Sequence, residues 1–540
     1  MNDSYFIGID YGSDSARAVL CDQNGKIISA STMEYPRWIK GKYCTASKNI
    51  FRQHPQDYLD VLEHILKEVV KLCPNPDAVK GIAMDSTCST PGFVDKDLVP
   101  LALKEQYAED PDAMFVMWKD HSMVAEAAEI TALCAEWKNS GKSLWNYASH
   151  CGSNYSPECY WAKILNVFRR REDIRRDSYS LLELCDYIPA VLTGCHSMED
   201  LKASHCAASA KHLWSEQWGG FPPDEFFDTL DPSLTVIRHH MADINHYCTE
   251  PFGTLCSQWA AKTGLNTDVV VAVGNIDSYA GATAAGVNVG TLAMNIGTAG
   301  CFMTEMPSEQ MSDTDVQGVF GQVDGGIRPG QVLYEVGMSA FGDMFAWFKR
   351  LLSYDAKDPG SLLRRLGEEA MTLAPDSAIP IATDSFNGRR SPNPNDALPA
   401  SICGLKISTS PAQIYHSLVQ AAAFATRMNI EHLDSYGIKI SGIVAIGGIS
   451  QKSPFVMQTL ADITGFEINV LDCKDSCALG DAMFASVASG HYPTLEMAVS
   501  SMQPGIKRKY SPASDTKEYY DARYRRYLAL SGFTEADYSA

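Results

Sequence analysis

The segment Asp277-Ser278-Tyr279-Ala280-Gly281-Ala282-Thr283-Ala284-Ala285-Gly286 sets one carboxylate at the head of a run of Ala, Gly and Thr. The apolar run Val269 to Val273 before it reads as a buried strand, and Gly274-Asn275 turns the chain. A helix so poor in side chain packs only where another backbone comes very close. An acid at its start is held by free N–H groups and the helix dipole. One Asp there would be an ordinary cap; its company suggests chemistry. Two turns elsewhere pair a glycine with hydroxyls: Asp10-Tyr11-Gly12-Ser13-Asp14-Ser15 and Asn295-Ile296-Gly297-Thr298. Phosphate oxygens need such short, unhindered donors, and a side chain at Gly12 or Gly297 would obstruct them. Arg17 could add charge-assisted bonds to a transferring phosphoryl group. Asp10 is suited to hold Mg²⁺ through water. Gly447-Gly448 follows a strand and could let a nucleoside lie flat on the backbone; taken alone, each glycine pair is also compatible with a plain turn.

These groups need elements to carry them. Tyr5 to Ile9 and Ala16 to Cys21 read as strands, and Lys26-Ile27-Ile28 as a third after the Asn24-Gly25 turn. Apolar residues at 58, 61, 62, 65, 66, 69 and 70 give a helix over Asp57–Leu72. Gly81-Ile82-Ala83-Met84 is then a strand delivering Asp85-Ser86-Thr87-Cys88-Ser89-Thr90-Pro91. The later chain echoes this order. Leu292 to Thr298 repeats Ile7 to Ser13; helix Ala412–Tyr436 with strand Ile443–Ile446 repeats the first helix and strand; Ser476 to Ala482 repeats Asp277 to Thr283. Three echoes in one order imply two copies of one α/β unit facing each other. Ala108 to Leu213 is a mostly helical insertion, clearest at Val124–Leu133 and Trp161–Phe168. Residues 384–395 read as a loop, and Tyr519–Leu530 as a packed amphipathic helix.

At 540 residues two domains are the default, and 45% apolar with 20% charged residues describes a globular chain. A net charge of -20 argues against nucleic acid or an anionic membrane as partner, but not against a nucleotide held by backbone amides. Met1-Asn2-Asp3-Ser4 carries no basic region and no apolar run approaches a bilayer's thickness, so no signal peptide or anchor is expected. Sixteen Cys without a CxxC pair suggest neither zinc nor disulfides and fit a reducing cytoplasm. His239, His240 and His246 lack the HExxH spacing. Gly141-Lys142-Ser143 has Glu136 where a Walker loop has its first glycine. What remains is a two-domain cleft.

The chain resembles the FGGY family of carbohydrate kinases nearly end to end. The strings are Ile7 to Ser15, Asp85 to Pro91, Met114 to His121, Ser209 to Trp214, Trp218-Gly219-Gly220, Gly321 to Gly325, Ser339 to Asp343, Phe386 to Arg390 and Tyr524-Arg525-Arg526-Tyr527. Trp118-Lys119-Asp120-His121, Lys211-His212-Leu213-Trp214 and Phe386-Asn387-Gly388-Arg389-Arg390 narrow it to members acting on L-ribulose. The resemblance implies an α/β chain of two ribonuclease-H-like domains of the actin/hexokinase type, 1–283 and 284–540, with ATP and a pentulose between them. Asp10, Gly12, Ser13, Asp14, Ser15, Arg17, Gly297, Thr298, Gly447, Gly448 and Lys452 then fall to ATP and Mg²⁺. Asp277 matches the base that takes the proton of the sugar's terminal hydroxyl. Phosphoryl transfer has a loose transition state, so this base need not have an unusual pKa. By the same resemblance Lys211, Glu335 and the Cys88 turn contact sugar hydroxyls, although Lys211 also reads as a surface lysine and Glu335 as a structural pair. Trp118 and Asp120 belong near the pocket, as contacts or as packing. The family often places Asn after the second glycine pair to meet adenine; Ile449-Ser450-Gln451-Lys452-Ser453 stands there instead, leaving Lys452 or Ser453 for that contact. Alternatives are another ketose such as D-ribulose or D-xylulose, or an actin-like ATPase; a homodimer is a possible assembly.

Overall fold

Alternating apolar runs around the first turn make an antiparallel meander of Tyr5–Tyr11 (β1), Ser15–Asp22 (β2) and Ile27–Glu34 (β3). The computed structural model describes residues 4–242, 244–311, 315–353, 361–373 and 378–538. Helix α1, Pro55–Lys71, starts where His54 accepts the Gln56 amide and Pro55 needs no donor partner. It buries Tyr58, Val61, Leu62, Ile65, Leu66, Val69 and Val70, the face its spacing specifies. β4 (Val79–Ser86) then runs parallel to β1.

Strand β5 (Pro91–Val94) precedes the insertion, which holds α2 (Val124–Asn139), α3 (Tyr160–Arg170), β6 (Ser180–Glu183) and α4 (His205–Lys211). The insertion is helical as expected, except that its β6 pairs antiparallel with β5, Pro91 facing Glu183. β7 (Pro251–Thr254) and β8 (Val270–Ala272) complete the first sheet, whose order is β7-β8-β4-β1-β2-β3. A short β9 (Asn275–Ile276) also pairs with β4, so Asn275 faces Asp85 rather than simply turning the chain. Helix α5, Asp277–Ala284, follows at once.

The second sheet comprises β10 (Thr291–Ile296), β11 (Gly300–Pro307), β12 (Gly321–Asp324) and β13 (Gln331–Met338), then β14 (Gly442–Ile446) after α6 (Pro411–Ser435). β15 (Ile468–Leu471), α7 (Ser476–Ala488), β16 (Ile506–Tyr510) and α8 (Lys517–Tyr538) close the chain. Its order is β12-β13-β11-β10-β14-β15-β16. In each sheet an antiparallel meander is followed by two parallel neighbours and one antiparallel edge. The repeat read in the sequence is a repeat of topology.

The two small-residue helices α5 and α7 cross between the sheets. A Cβ on Gly480 would lie 1.9 Å from the Ala280 carbonyl oxygen, and one on Gly8 1.7 Å from that of Ala478. Those distances are below any real contact, so the units touch backbone to backbone. Behind them, Tyr520, Tyr524 and Tyr527 of α8 are buried, and buried Arg523 caps the Ile379 and Pro380 carbonyls. The amphipathic tail is packed, as its spacing implied.

Gly480→Ala should therefore lower the unfolding free energy by on the order of 3 kcal/mol, the upper range for forced overpacking. Urea denaturation measures it, and an unchanged midpoint would contradict the close crossing.

Candidate active site

The cavity between the sheets has a volume of about 210 Å³. Cys88, Lys211, Asp277, Gly297, Thr298 and Glu335 all line it. Six expected residues from five separate elements are thus brought to one place. Trp118 joins them. Asp120 does not: it is fully buried, accepts the Phe51 amide at 2.7 Å and pairs with the Arg52 guanidinium, so its role is packing.

Asp277 opens α5 with its carboxylate at the cavity wall, Oδ1 accepting the Ser278 amide at 2.6 Å. Burial pushes its carboxyl up to about 7, with help from the negative charge of Asp10 and against the Ser278 bond. The reaction does not require an unusual pKa of this acid, but its surroundings give it one. The cause is that both sheets exclude water while carrying further carboxylates. Asp10 faces Asp85 across β1 and β4, and Asn275 faces Asp85 across β4 and β9. Asp481 of α7 comes down on the same face, between Ala478 over Gly8 and Ala485 over Gly81. Asp85 and Asp481 are fully buried and share a hydrogen bond with each other. Burial pushes both far above the usual carboxylate range. Two such acids stay together only if protons remain between them. Asp10 is also raised by burial, though Arg17 pulls the other way.

The first glycine-hydroxyl turn lies beside the cavity rather than in its lining. It is tied to the wall by the Trp118 indole, which donates to Ser13 Oγ at 2.9 Å. Asp14 accepts the Trp38 indole at 2.7 Å, and the Gly12 amide closes the turn onto the Ser15 carbonyl at 3.1 Å. Arg17 is ion-paired with Asp475 at 3.1 Å, so a phosphoryl group would share it. A Cβ on Gly297 would meet no protein atom: the glycine keeps the cleft itself clear. Gly447 has φ +91°, and its Cβ would come within 2.5 Å of the Ile296 carbonyl, placing the Gly447-Gly448 pair directly behind the Gly297 turn. Lys452 ends the short helix Gly448–Lys452, exposed and outside the cavity lining.

Among the described residues no group of three or more His, Cys, Asp or Glu is arranged to hold a metal ion. The donor set around Asp10 suits a hard cation held through one carboxylate, water and phosphate oxygens, the usual habit of Mg²⁺, rather than a protein cage.

Among the lining residues with no assigned role in the sequence are Glu158, Cys301, Phe320 and Arg390. Arg390 enters from the 384–395 loop, its guanidinium 4.1 Å from the Phe320 ring centre and Nη2 3.3 Å from Glu158 Oε1. Burial would raise the Glu158 carboxyl, but Arg390 and His121 outweigh it and hold it at about 2. Lys211 Nζ stands 3.7 Å from the centre of the same ring. Its ammonium is kept charged because nearby Cys159, Glu335 and Glu158 outweigh the cost of burial. Tyr279 donates to Glu335 at 3.3 Å. Arg390 stood in a string already singled out; nothing in local pattern marked Glu158. The wall therefore alternates fixed cations and anions around a water-poor space, as a polyhydroxylated ligand requires.

Two sheets of one topology, with a carboxylate and a glycine-hydroxyl turn meeting in their cleft, define a phosphotransferase of the actin/hexokinase type. The comparisons agree. The C-terminal domain model of the FGGY family of carbohydrate kinases matches residues 292–489. The chain is 37% identical to a ribulokinase from Vibrio parahaemolyticus, covering 98% of this chain and 96% of that one. It is 34% identical to a ribulokinase from Halalkalibacterium halodurans, covering 99% and 95%. A ligand-bound xylulose kinase from Lactobacillus acidophilus superposes with TM-score 0.81 at 18% identity, covering 99% of each chain. A glycerol kinase from Plasmodium falciparum with ADP does so with TM-score 0.77 at 15% identity, covering 98% of each. The protein belongs to the FGGY family of carbohydrate kinases, and it is a kinase.

If Asp277 is the proton acceptor, kcat/KM for the sugar should fall as pH drops below about 7, because the protonated acid cannot accept. Asp277→Asn should cut turnover by roughly 10²–10⁴-fold while ATP affinity holds. Rate profiles and nucleotide titration measure both.

Proposed function

We propose that the protein transfers the γ-phosphoryl group of ATP to the terminal hydroxyl of L-ribulose, giving L-ribulose 5-phosphate, a step of L-arabinose breakdown, with D-ribulose as a possible second acceptor. The observation that carries this is the conjunction of near-full-length similarity to ribulokinases with Asp277, Lys211 and Glu335 meeting in one cavity. At about 210 Å³ the cavity is smaller than the roughly 300–1,000 Å³ of pockets for drug-sized ligands, which suits a small polyol.

Lys211 donates to the sugar's oxygens and Glu335 accepts from its hydroxyls, so the acceptor is gripped by charges already fixed in place. Asp277 then takes the proton of the attacking hydroxyl at Oδ1 or Oδ2. Its raised pKa matches a base working near neutrality. The amides and hydroxyl of the Gly297-Thr298 turn would meet the transferring phosphoryl, and the Gly12–Ser15 turn with Arg17 would close from the other sheet. Asp10 would hold Mg²⁺, which when bound neutralises charge on the nucleotide's phosphates. Gly447 and Gly448 would back the nucleoside, with Lys452 at the rim. The chain divides as 1–283 and 284–540, a boundary falling in the last turn of α5. Closure of the two units on the sugar would exclude water and suppress hydrolysis. A cytoplasmic setting is supported by sixteen unpaired cysteines; no described helix is long and apolar enough to cross a membrane.

A coupled ADP-release assay across L-ribulose, D-ribulose, D-xylulose and ribitol tests the reading, with the largest kcat/KM expected for L-ribulose. A preference for D-xylulose would move the acceptor, and sugar-independent turnover would make the protein an ATPase. Lys211→Met should raise the sugar KM about tenfold or more while the ATP KM stays put, as the loss of a charged hydrogen bond predicts.

A further inference from the structure

Two parts of the sugar-facing wall come from unrelated elements: the Thr87-Cys88 turn after β4, and Lys211 at the end of α4. Something must set their spacing. Glu183, the last residue of β6, is 1% exposed and lies behind both, outside the cavity lining. Its Oε1 accepts from the Ser89 hydroxyl and from His212 Nε2 at 3.1 Å, and its Oε2 accepts the Thr90 amide at 2.7 Å. Ser89 and Thr90 directly follow Cys88, and His212 directly follows Lys211. One carboxylate thus holds both walls. Lys163, wholly buried in α3, braces the same turn from the other side: Nζ donates to the Ser89 carbonyl and, at 3.0 Å, to that of Met117, next to Trp118. The His212 ring lies against Tyr160, centroids 3.8 Å apart. Burial alone would raise the Glu183 carboxyl, yet the bonds from His212, Ser89 and Thr90 outweigh it and keep the carboxyl below its usual range.

Buried charges of this kind are poor stabilisers, because desolvation offsets their attraction and a well-packed apolar set often serves as well. What a fully bonded carboxylate supplies is direction and distance. A polyol site reads hydroxyl patterns through such distances, and displacements below an ångström are felt. We propose that Glu183, with His212 and Lys163, is a positioning relay that fixes Lys211 relative to the Cys88 turn and so sets which hydroxyl patterns the enzyme accepts. This rests on the reading that the cavity takes a sugar.

His212→Phe keeps a ring against Tyr160 and removes the donor; His212→Gln keeps a donor; Ser89→Ala removes the opposite contact to Glu183. The sugar KM of the Phe variant should rise about tenfold, the effect of one lost charge-assisted bond. The ratio of kcat/KM between pentuloses should narrow, the ATP KM should stay within about twofold, and Gln should recover most of the loss. Combined with Ser89→Ala the effects should be non-additive, since both act through one carboxylate. An unchanged sugar KM and selectivity, or an equal fall in kcat for every sugar without a KM split, would overturn the relay. If the Phe variant does not fold, Ser89→Ala carries the same kinetic test. The comparison uses whichever polyol the wild type phosphorylates best, so a different acceptor revises the proposed substrate and not the relay. Should the wild type phosphorylate none, the sugar reading fails, and crystal structures of wild type and variant decide the relay: an unchanged spacing of Lys211 Nζ and Cys88 Sγ refutes it.

Discussion

Helices α5 and α7 meet backbone on backbone where Gly480 crosses Ala280, and the rest of the structure depends on that contact. Gly480 lies on the Ala280 carbonyl, Gly8 on the Ala478 carbonyl and Gly81 on the Ala485 carbonyl, where an added Cβ would come within 2.5 Å of the oxygen. Each glycine removes the atoms that would hold the backbones apart. The sheets can then approach until the Asp10 turn of one and the Gly297 turn of the other face a common space. A single Cβ in this seam would separate them by more than a phosphoryl contact tolerates, because packed interiors yield little. The small residues of α5 and α7 therefore serve geometry first; their helix propensity is secondary.

The same closeness explains the electrostatics. Bringing β1, β4 and α7 together crowds half-buried Asp10 against Asp85 and Asp481, the latter two wholly out of water, near Asp277. Like charges in low dielectric cannot all be ionised, and Asp277 is moved toward neutrality first by its own burial and then by the charge of Asp10. A carboxylate tuned this way needs no special local group. It is a by-product of how two units are docked, and the docking that builds the cleft also sets its acid–base behaviour.

The polar wall shows a second use of burial. Glu158 between Arg390 and His121, and Lys211 among Glu335 and Glu158, are charges whose partners come from distant parts of the chain. Glu158 is ion-paired and Lys211 is held against the Phe320 ring before any ligand arrives, so little reorganisation is left for binding. Lys163 and Glu183 continue this pattern one layer deeper, holding the backbone that holds the wall.

Much of this was legible in the amino acids. The periodicity of α1, the two glycine-hydroxyl turns, the echo of one unit in the other and the carboxylate opening α5 are local patterns, and local patterns survive in a linear string. Of the six lining residues named from the sequence, Asp277, Gly297 and Thr298 stood in patterns readable from the residues themselves, while Cys88, Lys211 and Glu335 were reached through the family resemblance. The pairing of β5 with β6, the arrival of Arg390 opposite Glu158, the burial of Asp120 onto Arg52 and the raised pKa of Asp277 were not legible. Each depends on which residues distant in sequence share a dry volume, and a string contains no record of that volume. Types and spacings decided what chemistry the chain can attempt; only the docking of two sheets decided which charges lose their water, and therefore which of them the chemistry can use.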